Sequence, residues 1–321
     1  MTFRWMGLGA LGLCLLGFAA ACSAASDSRF SKGTAASSGT GGSSSTGTLD
    51  VGATTSTGDV GGFSPSGASG TSTGSGSSEC SDASKLVYVV GSGNELYSFS
   101  PPTLAIKQVG EINCVAQGGF GTPFSMAVAR DGTAYVLFDD GKLFAIDTTT
   151  AECKATSFVP NQLPGFDLFG MGFSTNPGDP NSETLYVASF DGAGLGTIDL
   201  TTMKLSMIAP YDLVSDPGEL TGTGDGRLFG FFLSTPVKVA EIDKTSAKIL
   251  SIAPQPTVDI GGGWAFAFWG GDFWLFTAPS QFTSQIDRYQ PSTKTTTKVA
   301  EVPFKIVGAG VSTCAPVEEP K

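Results

Sequence analysis

TAYVLFDDGKLFAIDTTT, from Thr133 to Thr150, decides how this chain folds. It opens on an aromatic-rich strand, turns at Asp-Gly, runs a second strand to an Asp, and ends in a threonine turn. The same phrase recurs as KLVYVVGSGNELYSFSPPT from Lys85 and TLYVASFDGAGLGTIDLTT from Thr184. It continues as RLFGFFLSTPVKVAEIDKTS from Arg227 and DFWLFTAPSQFTSQIDRYQPST from Asp272. Tyr88, Tyr135, Tyr186, Phe229 and Trp274 take one place in the five copies, about 47 residues apart. A period in the mid-forties built of short strands is the mark of propeller blades, each a four-stranded sheet. One blade cannot bury both its faces, so the copies must stack around an axis.

Working outward, each phrase gains a strand on either side. FSMAVAR at Phe124, FGMGFST at Phe169, GELTGTG at Gly218 and WAFAFWG at Trp264 alternate large residues with small ones. Small residues suit the innermost strand, where the sheets converge. A fourth, outer strand is expected at Ala105–Ile112, Cys153–Val159, Leu205–Pro210, Lys248–Ala253 and Thr296–Val302. The first copy has no inner strand before Lys85. An orphan segment, KIVGAGVSTC from Lys305 to Cys314, ends the chain with the right alternation. The expectation is therefore an all-β, five-bladed propeller, closed by pairing the C-terminal strand into the first blade. Closure removes exposed sheet edges. The blades are Lys85–Glu111 with Ile306–Thr313, Phe124–Pro160, Phe166–Tyr211, Pro217–Pro256 and Gly262–Pro303, and no residues remain for a sixth.

The 321 residues divide by composition into 1–21, 22–79, 80–316 and a polar tail, 317–321, expected to fray. In the first segment Arg4 supplies a positive start, Leu8 to Phe18 an apolar core, and Ala19-Ala20-Ala21 the small residues of an export signal. FAAAC resembles the lipobox of bacterial lipoproteins, with Ala19 in place of the usual Leu. The resemblance implies that Cys22 is acylated and anchors the chain to a membrane without a spanning helix. Ser23 after it points to the outer membrane, facing either the periplasm or the outside. Residues 23–79 are Gly, Ser and Thr with isolated Leu49, Val51, Val60 and Phe63, a composition that cannot offset the entropy of ordering. Such a tether reaches about 40 Å.

A net charge of −11 and the lack of any Lys/Arg run argue against a nucleic-acid partner. The chain has no histidine, which removes the usual general base, the Ser-His and Cys-His arrangements and the commonest metal ligand. No cofactor is expected. Cys80, Cys114, Cys153 and Cys314 remain after the lipid cysteine, and four cysteines in an exported chain suggest two disulfides. Ring closure brings Cys80 and Cys314 together. Cys114–Cys153 follows by elimination, although the two are expected on opposite rims. Without CxxC or histidine there is no metal site, and without CxxCH no haem.

The Asp-Gly pairs at 131, 140, 191 and 225 read as hairpin turns. NPGDPNSE from Asn176 is the nearest thing to a calcium loop, and reads as an ordinary loop. Ligands of propellers sit at the channel mouth, on loops entering the inner strands. Those positions carry Phe124, Phe166, Asp167, Asp216, Glu219, Asp259 and Trp264. Asp167, Glu219 and Asp259 come from three blades. Five-bladed propellers resembling sugar hydrolases place carboxylates so, one as general acid and one as base. Two functions stay open: a monomeric binding or scaffold module for a protein or glycan, and a glycosidase or lyase using those carboxylates. The repeats from Lys85 to Thr313 resemble the broad quinoprotein/YVTN group of propellers. That resemblance implies the fold alone and brings no functional residues.

Overall fold

A computed structural model describes residues 80–115 and 118–320. The expected export signal, Cys22 and the expected linker lie outside the described residues. In chain order the strands are β1 (Val87–Gly91), β2 (Glu95–Ser100), β3 (Ala105–Glu111), β4 (Pro123–Val128), β5 (Thr133–Phe138), β6 (Leu143–Asp147) and β7 (Cys153–Ala155). Next come β8 (Phe169–Asn176), β9 (Asp179–Ser189), β10 (Leu195–Asp199) and β11 (Lys204–Ala209). The fourth set is β12 (Gly218–Gly222), β13 (Leu228–Phe232), β14 (Lys238–Ile242) and β15 (Ile249–Pro254). Last are β16 (Trp264–Trp269), β17 (Asp272–Thr277), β18 (Ser284–Gln290), β19 (Thr295–Val302) and β20 (Ile306–Val311). They form five four-stranded sheets, and the first has the order β20-β1-β2-β3. Antiparallel pairing of Val87 with Val311 and Val89 with Ala309 closes the ring as the orphan segment implied.

Alternation along each strand gives every blade two apolar faces, and these meet in five inter-blade cores. In β16, Ala265, Ala267 and Trp269 pack with Val87, Val89 and Phe99 of blade 1. Phe266 and Phe268, the residues between, pack instead with Phe229 and Phe231 of blade 4. Small residues at the axis let backbones touch: a Cβ on Gly170 would lie 2.1 Å from the carbonyl oxygen of Gly218 in the next blade. Hydroxyls tie the inner strands to neighbouring blades. Ser284 Oγ accepts from the N–H of Ile306 at 2.9 Å, and Thr221 Oγ1 from that of Phe268 at 3.1 Å.

The threonine turns share one backbone device. Leu104, Ala151, Met203, Ala247 and Lys294, one per blade, all have φ between 53° and 61° ahead of the outer strand. In the middle three blades an aspartate at the turn's start takes up the free amides. Asp147 Oδ1 accepts from Thr149 N and Thr150 N, Asp199 Oδ1 from Thr201 N and Thr202 N, and Asp243 Oδ1 from Thr245 N and Ser246 N. These are Asx-type turns, which hold a left-handed residue that the bare backbone would resist.

Both disulfides form, Cys80–Cys314 and Cys114–Cys153, with Cα separations of 5.5 and 5.4 Å. Opposite rims do not keep the second pair apart, because the end of β3 lies beside the threonine turn of blade 2, with Gly110 against Thr150 and Ala151, and Cys114 follows it into the core that holds Cys153. The connection from Ile112 packs on blade 2, with Gly119 against the ring of Phe144. Two further expectations change. NPGDPNSE is the tip of an extended hairpin, with Asn176 paired to Asp179 across Pro177-Gly178. The C-terminal tail is a strap on blade 5, where Gly270 N–H donates to Pro316 O at 2.8 Å and Arg288 faces Glu319 at 3.7 Å.

Candidate functional site

All five inner strands begin at one end of the channel, the entry face, so the residues opening them meet around one mouth. There Phe124 of β4 sets its ring edge against Phe190, centroids 5.4 Å apart, and against Trp264 of β16 at 6.4 Å. Phe190 and Trp264 lie 6.0 Å apart. Three blades thus contribute one aromatic cluster. Beside it is a pocket of about 190 Å³ lined by Thr122, Pro123, Phe124, Asp139, Trp264 and Lys305, among others. Asp139 is anchored by Thr122, whose N–H donates to Oδ1 at 2.9 Å and whose hydroxyl donates to Oδ2 at 3.0 Å. The loops of this face also expose Val115, Phe120, Val159, Leu213 and Phe282, Phe120 to 84% and Phe282 to 79%.

The sequence-derived candidates separate. Phe124 and Trp264 stand at the mouth. Asp167 and Asp259 are exposed and Asp216 is half-buried. Phe166 does not face the mouth. At 1% exposure it lies in the core between blades 2 and 3, turned inward by the loop that leads into β8. Glu219 is not a loop residue but the second residue of β12, and only 2% exposed. It accepts the hydroxyl of Ser125, from blade 2, at 2.8 Å, and Ser125 in turn accepts the N–H of Met171, from blade 3, at 3.1 Å. Burial pushes the Glu219 carboxyl well above the usual range, opposed in part by the Ser125 hydrogen bond. Asp167, Glu219 and Asp259 therefore sit in unlike surroundings, one in the channel wall and two in solvent.

The mouth also holds residues that the sequence reading passed over. Phe190 precedes the Asp191-Gly192 hairpin turn, where a large apolar residue reads as core. Lys305 lies one residue before β20, at the head of a segment that the sequence marks only as a strand.

The opposite end of the channel carries a polar network beside the ring-closing disulfide. Glu183 Oε1 accepts from Arg130 N at 2.7 Å and Oε2 from the Thr313 hydroxyl at 2.8 Å. The Arg130 guanidinium reaches Thr313 Oγ1 at 3.1 Å and Cys80 Sγ at 3.6 Å. Burial raises the Glu183 carboxyl, and the bonds from Arg130 N and Thr313 counter it. Among the described residues no group of three His, Cys, Asp or Glu side chains could hold a metal, and no helix is long and apolar enough to cross a membrane.

No protein-family profile matches the chain, and no curated protein matches it. Among solved structures it is similar to a chain of a nidogen/laminin complex, at 11% identity and a TM-score of 0.43 over 71% of this chain and 80% of that one. It is also similar to a protein of unknown function from Bacteroides thetaiotaomicron VPI-5482, at 12% identity and a TM-score of 0.44. That match covers 72% of this chain and 65% of the Bacteroides protein. Neither likeness bears on function. The propeller rests on its own strand order, and the two disulfides fit an oxidising, extracytoplasmic compartment.

Proposed function

We propose that the chain is a lipid-anchored binding module of the bacterial cell envelope, held to the outer membrane through Cys22. Its propeller takes a glycan at the entry-face mouth and performs no catalysis on it. The observation that carries this reading is the cluster of Phe124, Phe190 and Trp264 beside a polar-edged pocket. A sugar ring offers an apolar C–H face and a rim of hydroxyls. A flat indole next to an anchored carboxylate answers both halves. A catalytic reading needs two carboxylates flanking one bond, roughly 5–9.5 Å apart and both open to substrate. The burial of Glu219 against the exposure of Asp167 and Asp259 speaks against it.

Exposed Val115, Phe120, Val159, Leu213 and Phe282 on the same face favour a second reading, a protein partner seated over the loops. A glycan array probed with the mature chain separates the two. Glycan binding lost in Trp264→Ala and kept in Phe120→Ser/Phe282→Ser supports the first reading. Silence on the array, with an envelope protein captured only when Phe120 and Phe282 are intact, selects the second. Membrane attachment is read separately: Cys22→Ala should release the chain from the outer-membrane fraction.

A further inference from the structure

We propose that the sugar taken at the mouth carries a carboxylate, as a uronic acid does, and that Lys305 binds that carboxylate while Trp264 covers the ring. This rests on the glycan reading above and names the ligand's class.

Lys305 is the reason. Its side chain is half-buried at the pocket wall, and its ammonium makes no hydrogen bond or ion pair among the described residues. Its backbone is fixed, since Lys305 O accepts from Ser92 N at 2.9 Å. Its aliphatic stem lies along the pocket wall, and its ammonium, with no internal counter-ion, is free to meet an anion there. Acids outnumber bases in this chain by 29 to 18, so an internal partner was easily supplied. Asp139 lines the same pocket yet stays beyond ion-pairing distance, tied back by both its bonds to Thr122.

The side chain lies over two glycines. Nζ is 3.5 Å from where a Cβ on Gly262 would sit, and Cε is 3.3 Å from the place of one on Gly263. Both glycines line the same pocket. The indole N–H of Trp264 is buried without an acceptor in the protein, so what Trp264 offers a ligand is its ring. One unpaired cation, a flat ring and one anchored acceptor describe a ligand with one negative group, an apolar face and hydroxyls. The pocket's 190 Å³ suits a single sugar residue rather than a folded segment. A lone lysine is a point charge that pairs with any compact anion, and Asp139 in the same pocket repels a phosphate dianion more than a singly charged carboxylate. The net charge of −11 opposes long-range capture of a polyanion, but distant acids are screened over about 8 Å at physiological salt.

The test uses the mature chain and trisaccharides of galacturonate, glucuronate and mannuronate, each as free acid and as methyl ester. The ester keeps shape and removes charge. Calorimetric titration should show the acid form of at least one binding about tenfold or more tighter than its ester, with affinity falling as salt rises. Lys305→Met should erase the acid–ester difference at unchanged melting temperature, Lys305→Arg should keep most of it, and Trp264→Ala should weaken both forms. Equal binding of acid and ester, unmoved by Lys305→Met, would overturn the carboxylate assignment and leave the glycan reading standing. Failure of every acid and ester here, with silence on the glycan array, would remove the glycan reading itself. Lys305-dependent binding of a hexaglutamate peptide, with no sugar bound, would overturn the sugar class.

Discussion

Cys80–Cys314 closes a loop of 234 residues, and its removal is the sharpest test of the ring. In the chain-entropy account the link restrains the unfolded chain, and its effect grows with loop length. Chain-entropy theory assigns about 5.5 kcal/mol to a loop this long at 25 °C and about 4 kcal/mol to the 39-residue loop of Cys114–Cys153. In the folded protein the ladder between β1 and β20 stays in place without the link. The Cys80→Ser/Cys314→Ser variant should therefore keep its far-ultraviolet spectrum. It should lose most of those 5.5 kcal/mol, which is a fall of about 10–20 °C in melting temperature for a domain of this size. Urea unfolding followed by circular dichroism reads this directly, with the denaturant slope expected to rise because the unlinked chain expands further. Cys114→Ala/Cys153→Ala is the comparison. It removes a shorter loop but also buried sulfur, Cys114 being 1% and Cys153 8% exposed. A loss under about 1 kcal/mol for the first pair, at constant slope, would mean that the termini do not meet in one sheet, and the closure argument would fall.

Deleting residues 305–321 removes an inner strand, not an appendage, and should unfold the domain cooperatively; an unchanged melting curve contradicts the five-blade ring. Glu219→Gln keeps an acceptor for Ser125 and removes an acid whose folded pKa is raised by burial. A raised acid costs stability as pH climbs from its unfolded value, about 4.3, through its folded one, so the variant should gain on wild type across that window and match it below; no gain at neutral pH refutes the buried-acid account. Asp147, Asp199 and Asp243 have lowered pKa values, the largest cause being hydrogen bonds from Thr149, Thr202 and Thr245. Their contribution is complete above about pH 4 and fades as pH falls through the lowered values, so the triple Asn variant should show a shallower acid-side stability slope by thermal melts from pH 5 to 2. Identical slopes would show that these turns do not feel the charge.

Period and alternation were enough to number the blades, to find their inner strands and to send Ile306–Val311 back to the first sheet. Those features are local: a strand two residues out of step turns no side chain to the wrong face, and an aspartate two residues before a threonine makes its own turn wherever it lies. The pairing of Cys80 with Cys314 followed from the same logic, because closure leaves them no other neighbours. What surrounds the axis is different. Glu219 and Asp259 look alike in sequence, yet one is bonded to Ser125 inside the channel wall and the other lies in water. Phe190 and Lys305 join Trp264 from positions that no motif marks, 74 and 41 residues away in the chain. Sequence alone determined the ring and its seam. Only the tertiary structure decided what the mouth contains, since that depends on which strand ends converge when five separately encoded sheets are brought around one axis.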